Sequence, residues 1–363
     1  MTLSRFITAC AWLIFLLASC TANATPTAAT VPAATATPII QPTSIPTRTS
    51  TPIVRPTSTL TSTPVPIVQP TAIPTSTRMP EKSFRIIGYA ADWEGPVNPA
   101  QLPYVTHINY AFLLPAADGS VSNIANPWIL EDLVEQAHAA NVKVLISIGG
   151  WGLDQEFKQL AASPEARRRF VKAVVDFVQQ YHLDGADVDW EYPEANSPSA
   201  DHFTALMQDL RAQLAPEQLL TAAVALGQNA DGIQEAVFDL VDFFNIMAYD
   251  GPGQNHSSYE FAEEALNYWR QRGLPQNKAV LGVPFYSRPG EAPYRKLVAA
   301  DPAAAQADEI EYDGATTYYN GIPTMQEKTR LARRLGSGIM IWTIASDTLD
   351  ETSLLKAIDR ASR

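Results

Sequence analysis

The sequence predicts an α/β fold, a single (β/α)8 TIM barrel without a large α+β insertion, preceded by a disordered linker rich in Pro and Thr. From residue 84 onward, short runs rich in Val, Ile and Phe alternate with amphipathic stretches, as parallel strands and their connecting helices do. There are eight such runs, which is the strand number of a closed barrel. The alternative is an open doubly wound sheet, but no glycine-rich phosphate loop follows the first run, where that fold usually carries one.

The first 20 residues predict export. After Arg5, residues 6–18 are almost wholly apolar, a run shorter than the roughly 20 residues that a helix needs to span a bilayer. Such a run is typical of a signal-peptide core. It is followed by Leu-Ala-Ser-Cys, which resembles the bacterial lipoprotein signal and predicts a lipid on Cys20. The alternative is ordinary signal-peptide cleavage with an incidental cysteine. We therefore expect an exported cell-surface lipoprotein that is bound to the membrane only through its lipid anchor.

Residues 21–80 predict a disordered linker. They hold 12 of the 28 prolines, set among Thr, Ala, Ser and Val. Proline fixes φ and removes a backbone donor, so such a segment forms an extended spacer of about 3 Å per residue and builds no core. The folded domain is predicted at residues 81–363.

Charge and cysteine content limit the possible binding partners and covalent or metal cross-links of the folded domain. All 38 acidic residues and 22 of the 26 basic ones lie in residues 81–363, a net charge of −16. Such a surface repels phosphate backbones and anionic headgroups, so we expect no nucleic acid as a partner. The two cysteines, Cys10 and Cys20, precede the folded domain, which therefore has no disulfide and no Cys-ligated metal.

The predicted elements of the barrel follow in chain order. Helices are expected at 129–140 and 164–181 among other places, the second with Ser163 as N-cap and Pro164 at its first position. The eight strands are expected at 85–90, 106–113, 142–148, 185–190, 219–226, 241–249, 279–285 and 338–344.

The fourth predicted strand carries three acidic residues on one face. Side chains alternate along a strand, so Asp187, Asp189 and Glu191 are expected to point together into the barrel. Burying carboxyl groups is costly unless they share protons or find donors, which favours chemistry over a structural purpose. Coupled carboxyl groups also split their pKa values, which leaves one acid protonated near neutral pH.

Two other interpretations of this strand stay open. The acids could form a charged network that only fixes strand register, or they could bind a divalent metal. The spacing allows metal ligands, but the five His residues are scattered along the chain and none supports such a site. We expect neither a metal nor a cofactor.

The run 184–191 reads DGADVDWE and resembles the DGxDxDxE strand of glycoside hydrolase family 18, the chitinases and their relatives. Four further segments resemble that family in the proper order, at 147–150 (SIGG), 247–250 (MAYD), 281–288 and 338–342. The resemblance implies a retaining, chitinase-like enzyme of the endo-β-N-acetylglucosaminidase type. Its substrate would be a polysaccharide or oligosaccharide that contains β-1,4-linked N-acetylglucosamine, such as chitin.

The resemblance also implies residue roles. Glu191 would protonate the leaving oxygen while the substrate's own 2-acetamido carbonyl attacks the anomeric carbon. Asp189 would orient the acetamido nitrogen, Asp187 would share a proton with Asp189, and Tyr249 would hydrogen-bond the acetamido oxygen. Substrate binding is expected from Trp342, Met247, Asp250, Tyr89 and Tyr286, and structural support from Asp184, Ser147 and Gly149.

Some of these residues also have a packing interpretation. Trp342 is expected to face the barrel interior with Met340 and Ile344, so it could fill the barrel rather than form a sugar-stacking floor. Tyr89 and Trp93, after the first strand, are weaker candidates for sugar stacking.

The segment after the seventh strand limits the substrate. Only about 35 residues separate Arg288 from the helix predicted near Thr324. A shallow, open cleft is therefore expected, which favours shorter or irregular glycans, or endo-cleavage, over processive attack on crystalline chitin. The alternatives to chitin hydrolysis are peptidoglycan hydrolysis and glycan binding without catalysis. We expect the protein to be a monomer.

Overall fold

The structure is a computed structural model that describes residues 84–363. The predicted signal peptide, Cys20 and the linker at 21–80 lie outside the described residues. Among the helices of residues 84–363, none is both long and apolar enough to cross a membrane.

Eight parallel strands close into a barrel, as predicted. Going round it, the order is β1, β10, β7, β6, β5, β4, β3 and β2, with β2 beside β1. Each strand lies inside its predicted run or extends one residue beyond it. The barrel strands are β1 (Arg85–Ala91), β2 (His107–Leu113), β3 (Lys143–Gly149), β4 (Gly185–Asp189), β5 (Leu219–Val224), β6 (Phe243–Met247), β7 (Ala279–Pro284) and β10 (Gly338–Trp342).

Helices cover the outside of the barrel. In α3 the Ser163 hydroxyl accepts a hydrogen bond from the Ala166 N–H, and Pro164 occupies the first turn, as predicted. Two connections depart from a strict (β/α)8 pattern, because only 3-10 turns join β1 to β2 and β5 to β6. Pro99 and Pro103 lie in the first of these, Pro99 at the start of a 3-10 turn and Pro103 inside it, where it removes a helical donor. The helices are α1 (Pro127–Ala139), α2 (Asp154–Ala162), α3 (Pro164–Gln180), α4 (Ser199–Gln213), α5 (Tyr259–Gln271), α6 (Tyr294–Ala300), α7 (Ile322–Leu335) and α8 (Leu354–Ser362).

The segment between β7 and α7 is small. It contains α6, a 3-10 turn and an antiparallel hairpin of β8 (Glu309–Tyr312) and β9 (Ala315–Tyr318). The expectation of a barrel without a large α+β insertion is therefore confirmed.

Apolar side chains form two separate clusters. The larger one lies between the strands and the helices, and the smaller one lies inside the barrel. Met340 belongs to the interior cluster, with Trp342 packed against it. Ile344 was expected beside them but packs in the outer cluster. The alternation stops because β10 ends at Trp342 and a 3-10 turn begins at Ile344.

Candidate active site

The end of β4 places the three predicted acids. Asp187 and Asp189 are buried inside the barrel, while Ala186, Val188 and Trp190 pack outward against the helices. On the outer side, Trp190 stacks on Phe157 with 5.2 Å between ring centroids and donates from Nε1 to Asp154. This packing holds the strand end. Glu191 follows it at the rim, where its side chain is only partly buried.

Asp187 accepts four hydrogen bonds from other barrel strands. Its Oδ2 receives the hydroxyls of Tyr89 at 2.6 Å and Ser147 at 2.8 Å. Its Oδ1 receives the Thr221 hydroxyl at 2.5 Å and the Asn245 amide at 3.0 Å. Burial raises the pKa of Asp187, and the four donors oppose that rise. All acceptor positions of an ionised carboxylate are thus occupied.

Asp189 has a different environment. Its Oδ1 is buried and has no hydrogen-bond partner in the structure. Burial, and then the charges of Glu191 and Asp187, raise the pKa of Asp189 well above its usual range. Burial also raises the pKa of Glu191, and the Asp250 charge adds to this, while a hydrogen bond from Tyr192 opposes it. The cluster therefore keeps proton-donating capacity at pH values where isolated carboxyl groups are ionised.

Two glycines at the end of β3 brace the end of β4. Gly149 has φ +114°, and a Cβ atom there would lie 2.2 Å from the carbonyl oxygen of Asp189. The Gly150 N–H donates to that same oxygen at 2.9 Å. Only glycine permits this approach, so β3 and β4 are in close backbone contact at Gly149.

Asp184 lies at the opposite end of β4. Its Oδ2 accepts from the Val144 N–H at 2.8 Å and lies 2.9 Å from His138 Nε2. It joins β4 to β3 and α1 and takes no part in the carboxyl cluster.

The carboxyl ends of β6 and β7 supply a tyrosine pair and an ion pair. Tyr249 is partly buried, and burial raises its pKa well above the usual range, so its hydroxyl stays a donor. Its ring lies edge-on to Tyr286 with 6.3 Å between centroids. Met247 is also partly buried and packs against the interior apolar cluster.

Asp250 was expected to bind substrate, but its carboxylate is already engaged. Arg288 donates to both of its oxygens, from Nε at 2.8 Å and Nη2 at 2.9 Å. Burial alone would raise the pKa of Asp250, but hydrogen bonds from His256, Arg288 and Tyr286 hold it below its usual range. The structure therefore makes Asp250 an ionised neighbour of Glu191 that is paired with Arg288, and its contact with substrate stays a prediction.

Aromatic side chains form a floor beside the acids. Trp342 is partly buried and stacks on Phe112 with 5.6 Å between centroids. Trp93 is 67% exposed, and its ring centroid lies 6.5 Å from that of Trp342. Trp151, on the loop after β3, is 81% exposed. Tyr89 does not belong to this surface. It is 1% exposed, and its hydroxyl is committed to Asp187, so its predicted contact with sugar is wrong.

Some site residues escaped the sequence analysis. Thr221 and Asn245, two of the four donors to Asp187, were missed, as were Phe112 and Trp151. A signal for the first two was present, because each is a polar residue inside an apolar strand run, where an unpartnered polar group is costly. In residues 84–363, no group of three or more His, Cys, Asp and Glu side chains could hold a metal ion.

A closed parallel barrel with a buried carboxyl cluster and an aromatic floor at the carboxyl ends of its strands defines the class of barrel glycosidases. Residues 85–347 match the family model of glycosyl hydrolases family 18, and the chain belongs to that family. Five motif resemblances in the sequence had pointed to the same family.

Several chitinases are similar to this chain. A chitinase-like effector of Moniliophthora roreri is 33% identical over 231 residues, which are 55% of this chain and 56% of that protein. Chitinase 1 of Aphanocladium album is 28% identical over 243 residues, 52% of this chain and 57% of that protein. The chain thus spans little more than half the length of these curated relatives.

Solved structures share the fold. The GH18 chitinase ChiB from the chitin utilization locus of Flavobacterium johnsoniae superposes with a TM-score of 0.68 at 29% identity, covering 77% of this chain and 94% of that one. A chitinase from Bacteroides thetaiotaomicron gives a TM-score of 0.69 at 26% identity, covering 77% and 96%.

Proposed function

We propose that this protein is a retaining glycoside hydrolase that cleaves β-1,4-linked N-acetylglucosamine chains by substrate-assisted catalysis. The observation that carries the proposal is the contrast within one strand. Asp187 is saturated by four donors, Asp189 has a buried oxygen without a partner, and Glu191 stands at the rim. The relatives named as chitinases support the substrate class.

The contrast suggests how protons are distributed. Asp187 is the ionised member, since four donors favour the charged form. The proton of the pair then resides on Asp189, which is a sharper assignment than the shared proton expected from the family resemblance. A substrate acetamido N–H would satisfy the bare oxygen of Asp189. As positive charge develops on that nitrogen, Asp189 and the Asp187 charge beneath it would stabilise it.

The reaction then follows from these positions. Glu191 donates its proton to the glycosidic oxygen, and the bond from that oxygen to the anomeric carbon breaks. The 2-acetamido carbonyl oxygen, held by the Tyr249 hydroxyl, forms the new bond to the anomeric carbon and gives an oxazolinium intermediate. Water next attacks the anomeric carbon, the bond from that carbon to the acetamido oxygen breaks, and the water loses a proton to Glu191, which restores both the acid and the acetamido group and retains the configuration. Positioning supplies a large share of the rate, because a carbonyl oxygen is a weak nucleophile.

The cleft favours accessible glycans. Only α6, a 3-10 turn and the β8–β9 hairpin lie between β7 and α7, and the rings of Trp93 and Trp151 are exposed to solvent. We propose endo-cleavage of soluble or irregular chains by a monomer. Peptidoglycan is the alternative substrate, because a lipid on Cys20 would hold the barrel at the cell envelope.

The decisive experiment uses defined oligosaccharides. Fully acetylated chains should be cut, and NMR of the first product should show the β-anomer. Chains with a free amine at the cleaved residue should fail in kcat even at saturation, because the lost interaction belongs to the transition state. Mass spectrometry of products from chitin and peptidoglycan fragments would decide between these substrates.

Glu191→Gln is the matched control for this experiment. It should still bind the chains but lose about 10²–10⁴-fold in kcat, because an amide has no proton to transfer. Inversion at the anomeric carbon, or equal rates on acetylated and deacetylated chains, would refute the proposed nucleophile. Near-normal turnover by the Gln variant would refute the proposed acid.

A further inference from the structure

Lys328 is a buried lysine outside the catalytic cluster. It lies on α7 with 0% of its surface exposed. Its Nζ donates to the Ser257 carbonyl at 2.5 Å, to the Ser257 hydroxyl at 2.8 Å and to Asn320 Oδ1 at 2.7 Å. All three acceptors are uncharged. Burial lowers the pKa of Lys328 to about 7, against the opposing charges of Asp308 and Glu260. An apolar side chain here would avoid that desolvation cost, so stability alone does not account for the lysine.

Two successive sets of hydrogen bonds, from Lys328 to Ser257 and from Ser257 to Ala248, connect Lys328 to the active site. Its ammonium fixes both the backbone and the side chain of Ser257, and the Asn320 amide donates to the same Ser257 carbonyl at 2.9 Å. The Ser257 hydroxyl then donates to the carbonyl of Ala248 at 2.7 Å. That carbonyl belongs to the peptide group that precedes Tyr249. The orientation of this peptide group therefore depends on a hydrogen bond that the lysine helps to hold.

The loop between these two points carries Tyr249 and Asp250. It is closed on itself, since the Gly251 N–H donates to the His256 carbonyl at 2.9 Å and His256 Nδ1 lies 3.1 Å from Asp250 Oδ1. Asp250 has φ +52°, in the left-handed region that is uncommon for non-glycine residues, although aspartate enters it more often than most. Ser257 lies at the far end of this loop, where the loop comes back to the carboxyl end of β6.

We propose that Lys328 is a positioning residue of this enzyme, which holds Tyr249 and Asp250 against Glu191 through Ser257. This inference rests on the proposed hydrolysis, in which Tyr249 orients the nucleophile and Asp250 acts on the acid. Lys328 itself touches neither the substrate nor the reacting atoms. Its removal loosens the loop without opening the barrel.

The test compares Lys328→Met, Ser257→Ala and the double variant with the native protein. Methionine keeps the length and apolar stem of the lysine. We expect kcat on an acetylated oligosaccharide to fall by about 10- to 100-fold in Lys328→Met, with KM changed far less. The double variant should be little worse than Lys328→Met alone, because both changes interrupt one connection.

Lys278→Met is the matched control. The Lys278 ammonium also binds backbone carbonyls, those of Phe238 at 2.7 Å and Val241 at 2.8 Å, but it lies before β7 at the opposite end of the barrel. This variant should lose stability and keep the native kcat. A fall in kcat as large as that of Lys328→Met would overturn the proposal, since it would show a general response to losing an ammonium that binds backbone carbonyls.

Hydrogen exchange supplies a measurement that needs no turnover. The Gly251 amide should exchange at least about 10-fold faster in Lys328→Met, while amides of β3 and β4 keep their protection. If no glycan is cleaved by the native protein, the proposed function fails and this comparison still decides whether Lys328 holds the loop. Unchanged Gly251 protection, or native kcat with a lowered Tm, would leave the lysine a structural residue and overturn the proposal.

Discussion

Asp187 and Asp189 lie two residues apart on one face of β4 but differ in their hydrogen-bond partners. Asp187 is surrounded by four donors, whereas one oxygen of Asp189 is buried without any. An amide has a single acceptor oxygen and brings donors of its own. The two aspartates should therefore respond differently to the same substitution.

Asp187→Asn is expected to destabilise the fold by about 1–3 kcal/mol for each donor it leaves unpaired. Asp189→Asn should change the free energy of unfolding by less than about 1 kcal/mol, because Asp189 is already the protonated member, yet it should lower kcat on the order of 10²-fold. Urea unfolding followed by tryptophan fluorescence measures the first effect, and steady-state kinetics the second. Equal destabilisation by both variants would contradict the assignment of the proton to Asp189.

The Asp250 charge sets part of the pH dependence. Glu191 must be protonated to act as the acid, so kcat/KM falls as the pH rises through its pKa. The charge of Asp250 contributes to raising that pKa. Asp250→Asn removes this negative charge but leaves the positive charge of Arg288 nearby. The loss of the first and the presence of the second both favour the ionised form of Glu191. The basic limb of the kcat/KM profile should therefore move to lower pH.

Glu291→Gln is the control for this shift. Glu291 pairs with the same Arg288, but its side chain is 64% exposed, so its charge is screened by solvent. Its variant should leave the basic limb in place. A limb that stays unmoved in Asp250→Asn, or that moves equally in both variants, would show that Asp250 does not act on Glu191.

At the scale of elements, the end of β3 is the most constrained junction of the site. Gly149→Ala combines a positive φ with a Cβ 2.2 Å from the Asp189 carbonyl. Backbone strain should cost about 1–3 kcal/mol, and the collision a similar further amount. Because β4 must shift to relieve it, kcat should fall as well.

Gly152→Ala separates these two effects. Gly152 has φ +92°, but nothing lies within 4 Å of an added Cβ atom. Its alanine variant should show the strain alone and keep the native kcat. If thermal unfolding and kcat respond alike in the two variants, the close approach of β3 to β4 does not position the acids.

At the scale of the whole molecule, one prediction concerns attachment to the membrane, which depends on a residue outside residues 84–363. We propose that Cys20 carries a lipid, and Cys20→Ala should then move the protein from the membrane pellet to the soluble fraction while the barrel stays active. Cys10→Ala, which changes a cysteine within the apolar run, should stay in the pellet. Immunoblots of the two fractions measure this, and a Cys20→Ala protein that still sediments with membranes would refute the lipid anchor.

Local patterns in the sequence determined much of this protein. The eight apolar runs located every barrel strand, because the period of side-chain burial is a local property of the chain. The alternation along β4 assigned Asp187 and Asp189 to the interior for the same reason. Ser163 and Pro164 marked the start of α3, since capping depends on neighbouring residues only.

Only the tertiary structure decided which distant residues meet. Thr221 and Asn245 reach Asp187 because the barrel places β5 beside β4 and β6 next to β5, so that their inward side chains meet in the interior, and no spacing along the chain encodes that contact. Tyr89 lies beneath the aromatic floor for the same reason. Ile344 leaves the interior because β10 ends two residues earlier than its apolar run. Lys328 shows the principle most clearly: a lysine on a helix is ordinarily solvated, and its burial against the loop after β6 results from the packing of α7, which the sequence does not display.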